Sequence, residues 1–462
     1  IISLAACYGL TISNCDVQNA FQKCQLSNNP TTQHRSIHMK QVPGYHLRET
    51  NGDLLRSING NELVAHLHAS LNGLKQSSQV WYSELSAYLL TQGLIQSQFD
   101  SCIFKRDCDI RSENFIIMSI FVDDIIIAWR SKTVYDNFVK NLNDKWKCTS
   151  NAKSNLILGV NIFQLGDGCI MMNQNEMIQT ILQRFNMADC KPVASPGTTF
   201  VLNKSDYEST SSEEKEKLSN IDIRTIIGSY MYLCLWTRPD IAAAVGNVSK
   251  MSTGATWNTY LSCKRIMRYL KGTSGAALKF TPNLTPILQG YVDANHNPSG
   301  YEKKSRTGYI LSLGNGSPFV HGSKNQSIVA LSSYDSETIS LVSIIKEIIY
   351  YRGLLREIDP SIIDGPTVVY CDNQATIITA SNDALSQKTK HMVLYIAFIR
   401  FCVRNQIVSL VKVESKKNLS NFLTKSVSSI ENDQTMKDIG FCDEKGHVYN
   451  RNDKYDSMDN DD

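Results

Sequence analysis

The chain carries almost no net charge. Its 47 basic and 44 acidic residues leave +3 over 462 positions, so composition alone announces neither a nucleic-acid partner nor an acidic substrate. No apolar run reaches the ~20 residues that a membrane helix needs, which leaves no candidate for a membrane span. The 13 cysteines are scattered and odd in number, with no Cys-x-x-Cys pair and no Cys/His zinc spacing. They read as reduced thiols, mostly core, in an intracellular protein. No internal repeat occurs. The sequence opens on Ile1 inside an apolar stretch with no recognisable signal peptide, and reads as a fragment or a processed product. What remains is an ordinary globular composition, 42% hydrophobic and 20% charged, too long for one core, so two or three domains are expected.

Residues 1–165 alternate short strands and helices. Leu10 to Cys15 alternates apolar and polar before Asp16, and Trp81, Leu85 and Tyr88 follow helical spacing. Residues 203–222 are polar and charge-dense and predict a mobile connection. Residues 223–272 read as helices, and Pro282 and Pro286 mark a boundary. From 287 a new α/β domain begins, with strands ending at Asp293 and Asp372. Between them lies a long helix with Leu341, Ile345, Ile348 and Leu355 on one face. The acidic tail 431–462 is expected to be disordered.

The most informative feature is Asp123-Asp124 between the apolar runs Met118–Val122 and Ile125–Trp129. The runs read as paired strands. Asp-Asp suits a two-residue hairpin poorly, since such a turn prefers Asn-Gly or Asp-Gly. Two adjacent carboxylates repel, and Mg²⁺ is the natural partner for them. A lone pair of this kind is more often just a charged turn. With Asp16, however, it gives three carboxylates on neighbouring strands, the minimum to hold two Mg²⁺ for nucleotidyl transfer.

These runs, with others in the same order over about residues 1–430, resemble the reverse transcriptase and RNase H portion of copia-type retrotransposon Pol polyproteins. DVQNAF resembles the family's DVKNAF, MKQVPGY its MxQPPGF, LNGLKQSSQVWY its LYGLKQAPRAWY, FVDDIII its YVDDLLI, and LGVNI its LGIEI. IIGSYMYLCLWTRPDIAAAVG and KRIMRYLKGT are similar to the segment joining polymerase to RNase H. The resemblance implies an α/β and α+β multidomain chain. Its parts would be a right-hand polymerase palm with partial fingers over 1–165, thumb and connection helices over 166–280, and an RNase H-like domain over 287–430. It makes Asp16, Asp123 and Asp124 catalytic metal ligands, Phe21 the ring that excludes a ribose 2′-hydroxyl, and Gln76 a contact to the incoming nucleotide. Read by themselves, Phe21 is as readily a core residue and Gln76 an exposed one. Phe121 replaces the family's usual Tyr. The family's fingers segment, with its Lys/Arg grip on the triphosphate, would lie upstream of Ile1, so impaired extension is expected.

The same resemblance supplies a second metal set. RNase H chemistry needs four carboxylates around two Mg²⁺. Asp293 in GYVDANH resembles the acid of GYSDADW, Glu337 in ALSSYDSE that of ALSSTEAE, and Asp372 in YCDNQAT that of YCDNQSA. The fourth departs: the family's ADILTK is SNFLTK here, so Asn421 is a degenerate ligand. In TKHMVLYIAFIR, His391 persists as a nucleic-acid contact. Val393, Leu394 and Ala397 stand in a stretch where the family carries an Asp, an Arg and a second His.

Lys264, Arg268 and Lys271 share a predicted helix face with Arg265 beside it, a stripe that could track phosphates, although a solvated face is the default for such a run. No zinc knuckle and no HHCC set is present, which disfavours an integrase. The expected function is an RNA-directed DNA polymerase with a weakened RNase H, using two Mg²⁺ per site. Its partners would be an RNA template, a DNA primer, dNTPs, RNA–DNA hybrid and other parts of the same polyprotein, and its place a cytoplasmic particle or the nucleus. The rival readings are an inert relic that only binds nucleic acid, and a structural subunit.

Overall fold

Two runs rich in isoleucine, Ile116–Phe121 and Asp124–Trp129, form the middle of a six-stranded sheet. The computed structural model describes residues 1–449 apart from 27–36, 43, 46, 49, 51–52, 57–60, 152–155, 198–210, 297–302 and 383–386. The chain divides into two compact units, Ser13–Ser154 and Ile1–Ile12 with Asn155–Asp462.

In the smaller unit the strands are β1 (Thr11–Val17), β2 (Leu94–Gln96), β3 (Ile103–Arg106), β4 (Ile116–Phe121), β5 (Asp124–Trp129) and β6 (Cys148–Asn151), in the order β2-β3-β4-β5-β1-β6. The chain opens with α1 (Ile2–Tyr8), in the larger unit, and a single turn, α2 (Ala20–Lys23), follows β1. Helices α3 (Ser77–Thr91) and α4 (Lys132–Lys145) pack on the sheet. Trp81, Leu85 and Leu89 recur every fourth residue of α3, and Tyr135, Phe138 and Leu142 form the matching stripe of α4. They bury against Phe104, Met118, Ile120, Ile125 and Ile127 from the strands.

The larger unit holds two five-stranded sheets. One runs β16-β10-β9-β8-β7, from β7 (Leu156–Ile157), β8 (Val160–Gln164), β9 (Ile170–Asn173), β10 (Ala277–Phe280) and β16 (Phe441–Cys442). Helices α5 (Asn175–Arg184), α7 (Ile223–Trp236), α8 (Ala242–Ser249) and α9 (Trp257–Gly272) share one apolar cluster around Tyr230, Cys263 and Ile266. The other sheet runs β13-β12-β11-β14-β15, from β11 (Gln289–Asn295), β12 (Arg306–Ser312), β13 (Val320–Asn325), β14 (Thr367–Cys371) and β15 (Val408–Lys412). Its first three strands are an antiparallel meander, and β14 and β15 join in parallel. Helix α10 (Ser333–Ile358) lies on β11 and β12 with Leu341, Ile344, Ile345 and Ile348 buried, and α11 (Gln374–Ser381) and α12 (Val393–Arg404) complete this layer.

Two expectations are corrected. Ser212–Ser219, inside the stretch read as a mobile connection, is a helix, α6, while residues 203–210 lie outside the described residues. A capping box between Ser211 and Glu214 and a Lys217–Glu213 pair at 2.6 Å favour the helix locally, which the absence of apolar periodicity hides. The tail is also ordered well past 431. Helix α13 (Ser429–Asp438) begins with a Ser428–Glu431 capping box, and Phe441 and Cys442 add β16 to the sheet beside Leu278 and Ala277. Met436, Ile439 and Phe441 are buried, enough to dock a segment whose composition is otherwise polar. Residues 451–462 lie outside the described residues.

Candidate active site

The turn between β4 and β5 is made by Val122 and Asp123, not by the two acids, because Phe121 pairs with Asp124 and makes it the first residue of β5. Two-residue hairpins need positive φ. Val122 supplies it at φ 58, an unfavourable conformation for a β-branched residue. Trp81, 1% exposed, donates its indole N–H to the Val122 carbonyl at 2.5 Å and holds the turn in place. The Val17 N–H donates to the Asp123 carbonyl at 3.1 Å, which sets Asp16 of β1 beside the hairpin. Asp123 is exposed, while Asp16 and Asp124 are half-buried. Burial first, then the charge of Asp123, raises the Asp16 carboxyl above the usual range. Burial, then Asp123 and Asp16, does the same to Asp124. The three acids thus act on one another at one end of the sheet.

They are nevertheless a looser set than a second one. Among the described residues, the group of three potential metal ligands with donor atoms all within 4.8 Å of one another is Asp293, Glu337 and Asp372. Asp293 comes from β11, Glu337 from the first turns of α10, and Asp372 follows β14, so a parallel strand pair and a crossing helix converge. Asp293 is 4% and Glu337 8% exposed. Burial, then Asp293 and Asp372, pushes Glu337 up to about 9. Burial also raises Asp293, opposed by a hydrogen bond from Thr424. Three carboxylates crowded together, two of them buried away from screening water, fit a divalent cation, the partner that relieves their repulsion without protonation.

One loop braces this group. The Ser415 hydroxyl donates to Asp372 Oδ2 at 2.5 Å, and the Thr424 hydroxyl donates to Asp293 Oδ2. Asn418 Nδ2 reaches the Val292 carbonyl at 2.9 Å. Gly308 lies opposite Asp293, and a Cβ there would sit 2.6 Å from Thr424 Cγ2, so only glycine admits the loop. Asn421 lies in this loop. Its amide nitrogen donates to the Ser415 carbonyl, and its Oδ1 is buried without a hydrogen-bond partner. An acceptor left empty at this place fits a cation ligand. Glu414 instead faces Lys417 at 3.1 Å, with its side chain 74% exposed.

The other expected contacts are placed differently. Arg265 Nε donates to the Ser195 carbonyl at 3.1 Å, Arg268 Nε to the Lys191 carbonyl at 2.7 Å, and Lys271 Nζ to the Ala188 carbonyl. Lys264 lies over the Tyr260 ring at 5.8 Å. Three residues of the stripe on α9 thus fasten the 188–195 segment. His391 Nε2 is 3.1 Å from Asp335 Oδ2 in the first turn of α10, which ties it to that helix end. In α12, Leu394 is 81% exposed and Ala397 is exposed, so this stretch presents apolar groups outward. Phe21 sits in α2, partly buried against the core of the smaller unit, and Gln76 is the half-buried residue preceding α3.

Sequence reasoning missed Trp81, Ser415 and Thr424. Trp81 stood in a recognised run, but its hydrogen bond goes to a backbone carbonyl, which leaves no mark in sequence. Thr424 and Ser415 flank Asn421 and could have been found by asking what else the loop offers to the acids.

Residues 1–199 match the family described as Reverse transcriptase (RNA-dependent DNA polymerase). The chain is 31% identical over 429 residues to the Retrovirus-related Pol polyprotein from transposon TNT 1-94 of Nicotiana tabacum, covering 92% of this chain and 30% of that protein. It is 30% identical over 429 residues to the Retrovirus-related Pol polyprotein from transposon RE1 of Arabidopsis thaliana, covering 93% of this chain and 27% of that one. The chain thus spans less than a third of the length of either relative. A foamy viral protease–reverse transcriptase in complex with double-stranded DNA aligns with 89% of this chain and 59% of its own at 11% identity, with a TM-score of 0.41.

Proposed function

We propose that this chain, which belongs to the reverse-transcriptase-bearing Pol polyproteins of copia-like retrotransposons, copies RNA into DNA at Asp16, Asp123 and Asp124 and cleaves the RNA of an RNA–DNA hybrid at Asp293, Glu337 and Asp372. The observation that carries the reading is the second acidic group, three carboxylates within 4.8 Å with Glu337 pushed up to about 9. Such a site resists ionisation until positive charge arrives. Two Mg²⁺ bound there would supply an activated water and stabilise the leaving 3′-oxygen. Asp293 and Asp372 each spend one oxygen on the loop's hydroxyls, which fixes the direction of the other. At the first group, Asp16 and Asp124 flank the Val122–Asp123 turn, Phe21 lies shortly after Asp16 to exclude a 2′-hydroxyl, and Gln76 contacts the dNTP. RNA template, DNA primer and hybrid are the partners, with other regions of the polyprotein. An intracellular particle or the nucleus is the setting. Among the described residues no helix is long and apolar enough to cross a membrane.

The hybrid-cleaving site is weakened by Asn421, which brings an oxygen but no charge. The test is a Mg²⁺ titration of hybrid cleavage by the wild type and Asn421→Asp. The variant is expected to need less Mg²⁺. It is also expected to melt lower without Mg²⁺, because a carboxylate cannot keep the amide's bond to the Ser415 carbonyl. Equal Mg²⁺ midpoints would remove Asn421 from the site. Hybrid binding without cleavage by either form would favour the inert binder, the reading that the apolar outward residues of α12 support.

A further inference from the structure

Arg306 opens β12 at 5% exposure, and among the described residues it forms no ion pair. Its Nη1 donates to Ser323 Oγ on β13 at 3.1 Å, and its Nη2 to Asn247 Oδ1 on α8 at 3.1 Å. Burial without a carboxylate lowers its guanidinium to about 10. A buried cation bonded only to neutral groups is unfavourable, so its retention asks for a reason. α8 is shaped to admit it: a Cβ on Gly246 would lie 1.8 Å from Arg306 Nη1. The contacts continue beyond it. Ser323 Oγ donates to the Leu423 carbonyl at 2.6 Å. The next residue, Thr424, donates to Asp293. Nearby, His321 of β13 bonds the Cys234 carbonyl of α7 at 2.5 Å, so this sheet edge is fastened to the helical segment at two points.

We propose that Arg306 is a positioning residue of the hybrid-cleaving site: it links Asn247 of α8 through Ser323 to the loop that presents Thr424 to Asp293. The proposal rests on reading Asp293, Glu337 and Asp372 as the metal site. Arg306 can only donate, so it occupies a lone pair of Ser323 Oγ and directs the hydroxyl proton to the Leu423 carbonyl. Without that restraint the loop, and Asp293 with it, relaxes away from the geometry that receives the cation. One consequence is that helices outside the Asp293 sheet help to set its metal affinity.

The test uses the full chain in an Asp124→Asn background, which quiets the other acidic group. Mg²⁺ binding is followed by calorimetry and hybrid cleavage by Mg²⁺ titration for Arg306→Met, Ser323→Ala and Asn247→Ala. Ile266→Val, in the helical cluster away from this path, controls for lost stability. Arg306→Met and Ser323→Ala are each expected to raise both Mg²⁺ midpoints roughly tenfold, the lower end for partners outside the ligand set. Cleavage should largely recover at high Mg²⁺, and Ile266→Val should leave both midpoints in place. A folded Ser323→Ala or Asn247→Ala with the wild-type midpoint overturns the proposal, even if Arg306→Met fails to fold. Asp293→Asn separates the two claims. If it binds Mg²⁺ and cleaves as the parent does, the metal-site reading fails; if it loses both while the relay variants match the parent, only the relay fails.

Discussion

The two acidic groups of this chain solve the same electrostatic problem in opposite ways. Asp16, Asp123 and Asp124 sit at the end of a sheet with Asp123 in water, and solvent relieves part of their repulsion. Asp293 and Glu337 are almost wholly buried, and a loop fixes Asp293 and Asp372 by one oxygen each. The first site spends its strain on the backbone, at Val122. The second holds it in charge, at Glu337. An open site can be assembled by its substrate; a buried one must be aligned beforehand, because nothing but a proton or a cation will settle it.

The largest contrast should appear in pH and Mg²⁺. In the folded chain Glu337 titrates at about 9, against an ordinary 4.5. The folded state therefore keeps a proton that the unfolded state releases between these values, so its contribution is full below about 4.5 and is lost as pH rises to about 9. One such proton changes stability by at most about 1.4 kcal/mol per pH unit. Without metal, thermal melts should show stability falling over this window relative to Glu337→Gln, which lacks the titration. Saturating Mg²⁺ should flatten the difference. Asp16→Asn should produce a much smaller change of slope. If Asp16→Asn and Glu337→Gln shift the pH profile equally, the contrast between open and buried sites is wrong.

A smaller effect tests the open site. Trp81→Phe removes the donor to the Val122 carbonyl, and leaving that group unpaired should cost about 1–3 kcal/mol of stability. Primer extension should fall more than hybrid cleavage, because only the first site depends on that turn. A parallel loss of both activities would show a general destabilisation instead. The smallest effect should come from the α9 stripe. Arg268→Gln should lower the melting temperature slightly by freeing the Lys191 carbonyl, while the salt dependence of hybrid binding stays unchanged. A clearly shallower salt slope would instead make the stripe a phosphate track.

The sequence by itself determined the elements and the acids. The apolar, β-branched runs around Asp123, the spacing of Trp81 and Leu85, and the apolar face of α10 follow from local sterics and burial, which side-chain order along the chain encodes directly. That Asp16, Asp293 and Asp372 go with strands was legible for the same reason, although Asp16 and Asp293 lie inside β1 and β11 and only Asp372 falls just past its strand. The chain order of the motifs pointed to the family. Helices α6 and α13 were not legible, because capping boxes and a few apolar anchors outweighed a polar composition that reads as disorder.

Tertiary structure alone decided how the acids are held. Whether Asp124 lies in the turn or in the strand depended on Val122 accepting φ 58 under the Trp81 indole, a contact between residues far apart in sequence. The Arg265, Arg268 and Lys271 donors meet backbone carbonyls, which every residue carries and no sequence pattern marks. The tightness of Asp293, Glu337 and Asp372, and hence the rise of Glu337, came from burial beneath a helix and from a loop that enters only because residue 308 is glycine. Residue type sets what charge a group can carry. The surrounding dielectric and the hydrogen bonds brought in from distant segments set whether it carries that charge, and those exist only once the chain has folded.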